Sequence, residues 1–166
     1  YPEKLTRCLS DNDITYLDVL VLTHFDQDHV GATEAVVGMV GTLIAPTPEN
    51  EGDELQLAQL ENAGAHIEHG WLGLKGVLAD WKFECLWPMN GFPDFASGNP
   101  GSITLLFTRG SEHMLFLGDQ NAASQAAFVA KYPRLKDLTL VKVAHHGSAD
   151  QDPHAYAVSY THLTLP

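Results

Sequence analysis

Directly after an apolar run at residues 16–23 the chain reads His24-Phe-Asp26-Gln-Asp28-His29, which places four side chains able to ligate a cation within six positions. Imidazole and carboxylate are the donors that divalent first-row metals take. In extended backbone, residues 24, 26 and 28 project to one side. A turn at 28–29 then lets Asp28 and His29 face a second site. A further group, Ala144-His145-His146-Gly147-Ser148, leaves another apolar run, LTLVKV. The third is Phe116-Leu-Gly-Asp119. A lone Asp ahead of a helix ordinarily caps it. A two-metal site, however, needs a bridging carboxylate, and the first cluster supplies only terminal ligands.

Strands must carry these groups. YLDVLVLT at 16–23 is short, apolar and rich in β-branched residues, the pattern of a buried strand. Helical character is expected at 31–40 and a strand at 42–45, closed by Pro46-Thr-Pro48. Leucines at 55, 57 and 60 predict an amphipathic helix over 53–63 that Gly64 stops. From Trp81 to Trp87 apolar side chains alternate with Lys82 and Glu84, the period of a strand with one wetter face. Residues 89–101 are rich in Gly, Pro and Asn and read as a loop. Strands at 102–108 and 113–117 form a hairpin, followed by a helix at 121–132 and a last buried strand at 138–144.

Composition narrows the choices. With 166 residues, 45% of them apolar, one core is affordable and disorder is excluded. No apolar run approaches the roughly 18 residues of a membrane span. A formal charge of −12 argues against a duplex-coating protein, and Arg109, Lys142 and the cations at 131–136 read as scattered and solvated. Cys8 and Cys85 make neither a disulfide framework nor a CxxC zinc pattern. The chain is expected to be a piece of a longer one. Tyr1 is not a methionine, and VSYTHLTLP at 158–166 resembles a translated sequencing adaptor, so residues 1–157 are taken as the domain and His162 as non-functional.

The three groups, in this order, resemble the metallo-β-lactamase superfamily, and more closely the C-terminal hydrolase domain of ComEC-type DNA-internalisation proteins of the actinobacterial kind. LDVLVLTHFDQDHVGA, GNPGSITLLF, LFLGDQ and LVKVAHHGSADQDP carry that resemblance between residues 17 and 153. It implies an α/β fold of the four-layer αβ/βα sandwich type, here truncated at both ends. Two departures matter. Asp26 stands where the general superfamily motif has its second histidine, as in ComEC-like and some phosphoesterase members. The GHT histidine of many acyl hydrolases is absent, and His66, His69 and His113 read as exposed or strand-edge residues.

The resemblance also implies two divalent ions, zinc or manganese. His24 and Asp26 would hold one, Asp28, His29 and His145 the other, with Asp119 between them. Three carboxylates tilt the set towards manganese. Asp28 and His146 are the catalytic candidates, His146 binding or protonating a substrate oxygen or exchanging that role with His145; Asn99, Ser102 and Ser148 are the substrate-binding candidates. The implied substrate is single-stranded DNA, the strand that is not imported. The implied setting is a domain of a bacterial membrane protein, beside its channel portion and on the extracytoplasmic side. The alternatives are a free-standing phosphoesterase, an acyl hydrolase, or a non-catalytic module of the channel that binds metal or DNA.

Overall fold

The structure is a computed structural model that describes residues 2–89, 98–135 and 137–148. It contains two compact units, Tyr1–Gly70 and Trp71–Pro166, each with its own sheet. The boundary expected at residue 157, and the segment 158–166 with His162, lie outside the described residues.

In the first unit, strands β1 (Leu17–Val21), β2 (Val40–Ala45) and β3 (His66–His69) pair in parallel in the order β1-β2-β3. Parallel neighbours cannot be joined by a tight turn and need a crossover. Between β2 and β3 the crossover contains helix α3 (Glu51–Asn62). Its N-cap Asn50 accepts from the amides of Gly52 and Asp53 at 2.8 and 3.2 Å, while the Asp53 carboxylate accepts from Glu49 N at 3.0 Å. The expected stop at Gly64 is present: its φ is +107°, and Gly64 N and Ala65 N donate back to Glu61 O and Leu60 O. Leu22, Val36, Leu43, Leu57 and Leu60 make the core of this unit.

Three elements here differ from expectation. The stretch 31–40 is not one helix: the single turn α2 (Gln27–Val30) ends before it, it holds only a 3₁₀ turn (Thr33–Val36), and β2 already begins at Val40. Gly38 takes φ +80°, a conformation that ends helices, and the valines around it suit a strand better. Helix α1 (Pro2–Asp11) precedes β1 and packs Leu5 and Leu9 on the core. β3 is the polar segment HIEH, made a strand by pairing with β2 rather than by its own side chains.

The second unit holds a five-stranded sheet of β4 (Lys75–Leu78), β5 (Trp81–Trp87), β6 (Thr104–Arg109), β7 (Glu112–Phe116) and β8 (Leu140–Lys142), in that order. All neighbours are antiparallel except β7 and β8. β5 has the boundaries its alternation predicts, burying Phe83, Cys85 and Trp87, and β6–β7 form the expected hairpin around Gly110 and Ser111. Helix α4 (Ala122–Lys131) lies in the parallel connection from β7 to β8, capped by Asn121 Oδ1, which accepts from Ser124 N at 3.0 Å. Trp87, Leu115, Leu117 and Phe128 form the core. β8 is shorter than expected, because residues 144–147 turn as a 3₁₀ segment. No helix among the described residues is long and apolar enough to cross a membrane.

Candidate functional site

In the first unit the chain leaves β1 and stays outside regular structure until α2 begins at Gln27. Asp26 is the N-cap of α2, yet its carboxylate makes no capping bond. The helix therefore does not use the group that an ordinary capping role would occupy. His24 is buried and His29 mostly so, whereas Asp26 and Asp28 are about half exposed. The single turn of α2 brings His29 back against His24, with ring centroids 4.1 Å apart and planes tilted by 49°. Nε2 of His24 lies 3.7 Å from Asp26 Oδ2, and Nε2 of His29 lies 3.7 Å from Asp28 Oδ2. The other nitrogen of each ring meets one hydroxyl: Thr23 Oγ1 is 3.1 Å from His24 Nδ1 and 3.2 Å from His29 Nδ1. All four expected residues of this loop therefore come together.

In the second unit Asp119 follows Gly118 at the exit of β7, with its side chain 2% exposed. It does not cap α4; Asn121 does. Its two oxygens have different partners. Lys142 Nζ donates to Oδ1 at 3.1 Å and to Gly118 O at 3.1 Å, while His146 Nε2 lies 3.2 Å from Oδ2. The parallel register Phe116↔Lys142 puts the lysine where it reaches Asp119, so the reading of Lys142 as a solvated cation is corrected. Arg109 does stay exposed, at the end of β6, paired with Glu112 and Asp80.

The twin histidines are presented by unusual backbone. His145 (φ 43°), His146 (φ 53°) and Gly147 (φ 75°) are all left-handed, and His145 N donates to Gly118 O at 3.2 Å. Such a conformation costs a non-glycine residue on the order of 1–3 kcal/mol and persists where its surroundings impose it. His146 is the one turned to Asp119, and His145 is the more buried of the two. Of the substrate-binding candidates, Asn99 opens a 3₁₀ turn, and its Oδ1 is buried with no hydrogen-bond partner among the described residues. Ser102 is fully buried, with its amide donating to Asn99 O at 3.1 Å. Ser148 N donates to His145 O at 2.8 Å. Around them, Gln120 Nε2 donates to Thr104 Oγ1 at 2.8 Å, tying the start of β6 to the loop that carries Asp119. His66 and His69 are exposed on β3, as expected, whereas His113 is half-buried on β7, an interior strand of its sheet.

Thr23 and Lys142 are the functional candidates that sequence reasoning missed. The signals were present: Thr23 is the last residue of the apolar run, and Lys142 breaks the run LTLVKV.

No protein-family model matches the chain. Among curated proteins it is similar to ComE operon protein 3 of Bacillus subtilis, 32% identical over 144 residues, 84% of this chain and 18% of that protein. It is also similar to Recombination protein 2 of Haemophilus influenzae, 27% identical over 80% of this chain and 15% of that protein. The chain thus spans less than a fifth of the curated relatives it matches. Among solved structures, a metallo-β-lactamase from Pontibacter korlensis superposes with a TM-score of 0.55 at 19% identity, over 95% of this chain and 74% of that one. CmlA, a diiron β-hydroxylase from Streptomyces venezuelae, superposes at 0.51 and 16% identity, over 73% of this chain and 24% of that one. The chain thus has the metallo-β-lactamase fold, and in sequence it is similar to ComEC-type proteins.

Proposed function

We propose that the chain is a metal-dependent hydrolase domain whose electrophile is a phosphodiester, single-stranded DNA being the substrate, within a ComEC-like DNA-uptake protein of the membrane. The observation that carries this reading is the HFDQDH loop. Two imidazoles and two carboxylates converge there, and the Asp26 carboxylate makes no capping bond. A donor set of imidazole and carboxylate fits a divalent cation of the first row, with manganese favoured by the carboxylates and zinc also accommodated.

His24 and Asp26 would hold one cation and Asp28, His29 and His145 the other, with Asp119 shared. When bound, such a pair supplies Lewis-acid polarisation and a water acidic enough to act near neutral pH. The residues of the chain do the rest. Asp28 would orient the attacking water and take its proton. His146, with Nε2 against Asp119, offers Nδ1 to a substrate oxygen and can return a proton to the leaving group. Asn99 and Ser148 would position the substrate, with the fully buried Ser102 acting only by holding the Asn99 turn through its amide. Two divalent cations would offset four of the twelve net negative charges, admitting an anionic substrate locally.

The test compares the 166-residue chain on single-stranded DNA, a phosphodiester reporter, a lactone and nitrocefin, with and without manganese or zinc. Metal-dependent cleavage of the first two alone is expected, and it should vanish in an Asp28→Ala, His29→Ala double variant. Activity that survives this double change removes the reading. Turnover of the lactone or nitrocefin alone transfers it to acyl hydrolysis.

A further inference from the structure

One hydroxyl stands behind two ligands. Thr23 Oγ1 lies 3.1 Å from Nδ1 of His24 and 3.2 Å from Nδ1 of His29. A hydroxyl carries one donor hydrogen and two acceptor sites. If it donates to either ring, that neutral ring holds its proton on Nε2 and cannot ligate through that atom. If it accepts from both, each ring carries its proton on Nδ1 and both Nε2 lone pairs are available together. The carboxylates pull the opposite way, because Asp26 and Asp28 each sit 3.7 Å from an Nε2 and favour a proton there. In the chain without metal the two ends of each ring therefore compete for one proton.

We propose that Thr23 is a shared positioning residue: its hydroxyl accepts Nδ1–H from both His24 and His29 and so sets both rings as Nε2 ligands. The inference rests on the reading of this loop as a metal site. It adds that the two histidines are coupled through one oxygen, so both ligands become competent together. A partner to the far ring nitrogen of a ligating histidine fixes tautomer and orientation, and losing one typically lowers metal affinity about 10–100-fold. Here a single side chain serves two ligands, which places the expected loss at the upper end of that range.

Thr23→Val keeps the shape and removes the hydroxyl; Thr23→Ser keeps the hydroxyl. Manganese and zinc affinities of the 166-residue chain and both variants would be measured by calorimetry. Far-UV circular dichroism would check the fold, and nitrogen-15 spectra of the histidine rings would report the tautomers. The expected result is a loss on the order of 100-fold for T23V, an affinity within about 3-fold of the parent for T23S, and both rings in the Nδ1–H form in the parent with zinc bound. Parent uptake of metal with an unchanged T23V affinity overturns the inference alone. So does equal weakening in T23S, or coordination through Nδ1. A parent chain that takes up no metal overturns the reading of the site and the inference with it.

Discussion

Lys142→Met removes a cation from beside a buried carboxylate, and the structure sets the size of the effect. Nζ lies 3.1 Å from Asp119 Oδ1, and the Asp119 side chain is 2% exposed. Two unit charges at that distance attract by about 1.3 kcal/mol in water and about 5 kcal/mol at an effective dielectric of about 20. The lysine is about one-third exposed, so solvent screening places the value in the lower half of that span. The methionine stem retains most of the aliphatic packing. What remains is Asp119 buried with one partner fewer, and a loss of about 1–3 kcal/mol is expected for the metal-free chain. On the proposed reading a divalent cation bound by Asp119 takes over the charge compensation. The gap between parent and variant should then shrink to below about 1 kcal/mol at saturating manganese. Urea unfolding of both proteins, with and without manganese, reads both numbers. Equal stability without metal refutes the role given to the ion pair. A gap of the same size with and without metal refutes the role given to Asp119.

Two further outcomes are expected. His145→Ala should lose bound metal, whereas His146→Ala should keep it and lose about 10²–10⁴-fold in turnover; metal content and single-turnover rates separate the two, and metal loss only in His146→Ala would exchange their roles. Burial pushes the Cys85 thiol from its ordinary 9.0 up to about 12, and the thiol donates to Trp87 O at 3.0 Å. Its neutral form is favoured by folding, so the stability it contributes is complete below pH 9 and is lost as pH rises towards 12. A thiol reagent at neutral pH should accordingly label the exposed Cys8 quickly and Cys85 only on unfolding; fast labelling of both would refute this.

The parts of the molecule that announce themselves in sequence are those whose local chemistry agrees with their place in the fold. β5 alternates over a half-wet sheet face, α3 has its stop signal at Gly64, and the β6–β7 hairpin closes on Gly110. The HFDQDH loop is legible for a different reason: such a density of ligand side chains at a strand exit is hard to explain otherwise. β3 and β4 escape because HIEH and KGVL become strands through their neighbours, and pairing leaves no period in four residues. Lys142 escapes because its role follows from a parallel register with β7, a long-range fact absent from the run LTLVKV. The same holds for Thr23, which gains meaning only when the turn of α2 folds His29 back beside His24. Nor does the motif reveal that His145 and His146 both stand on left-handed backbone, since neither residue type demands it.

The central claim is that this chain holds divalent cations through its imidazoles and carboxylates. Elemental analysis of the 166-residue chain, loaded with manganese or zinc and then dialysed, tests it most directly. Two equivalents per chain are expected, falling below one in Asp119→Ala. A chain that keeps no cation after dialysis, or an Asp119→Ala variant that keeps both, would contradict it.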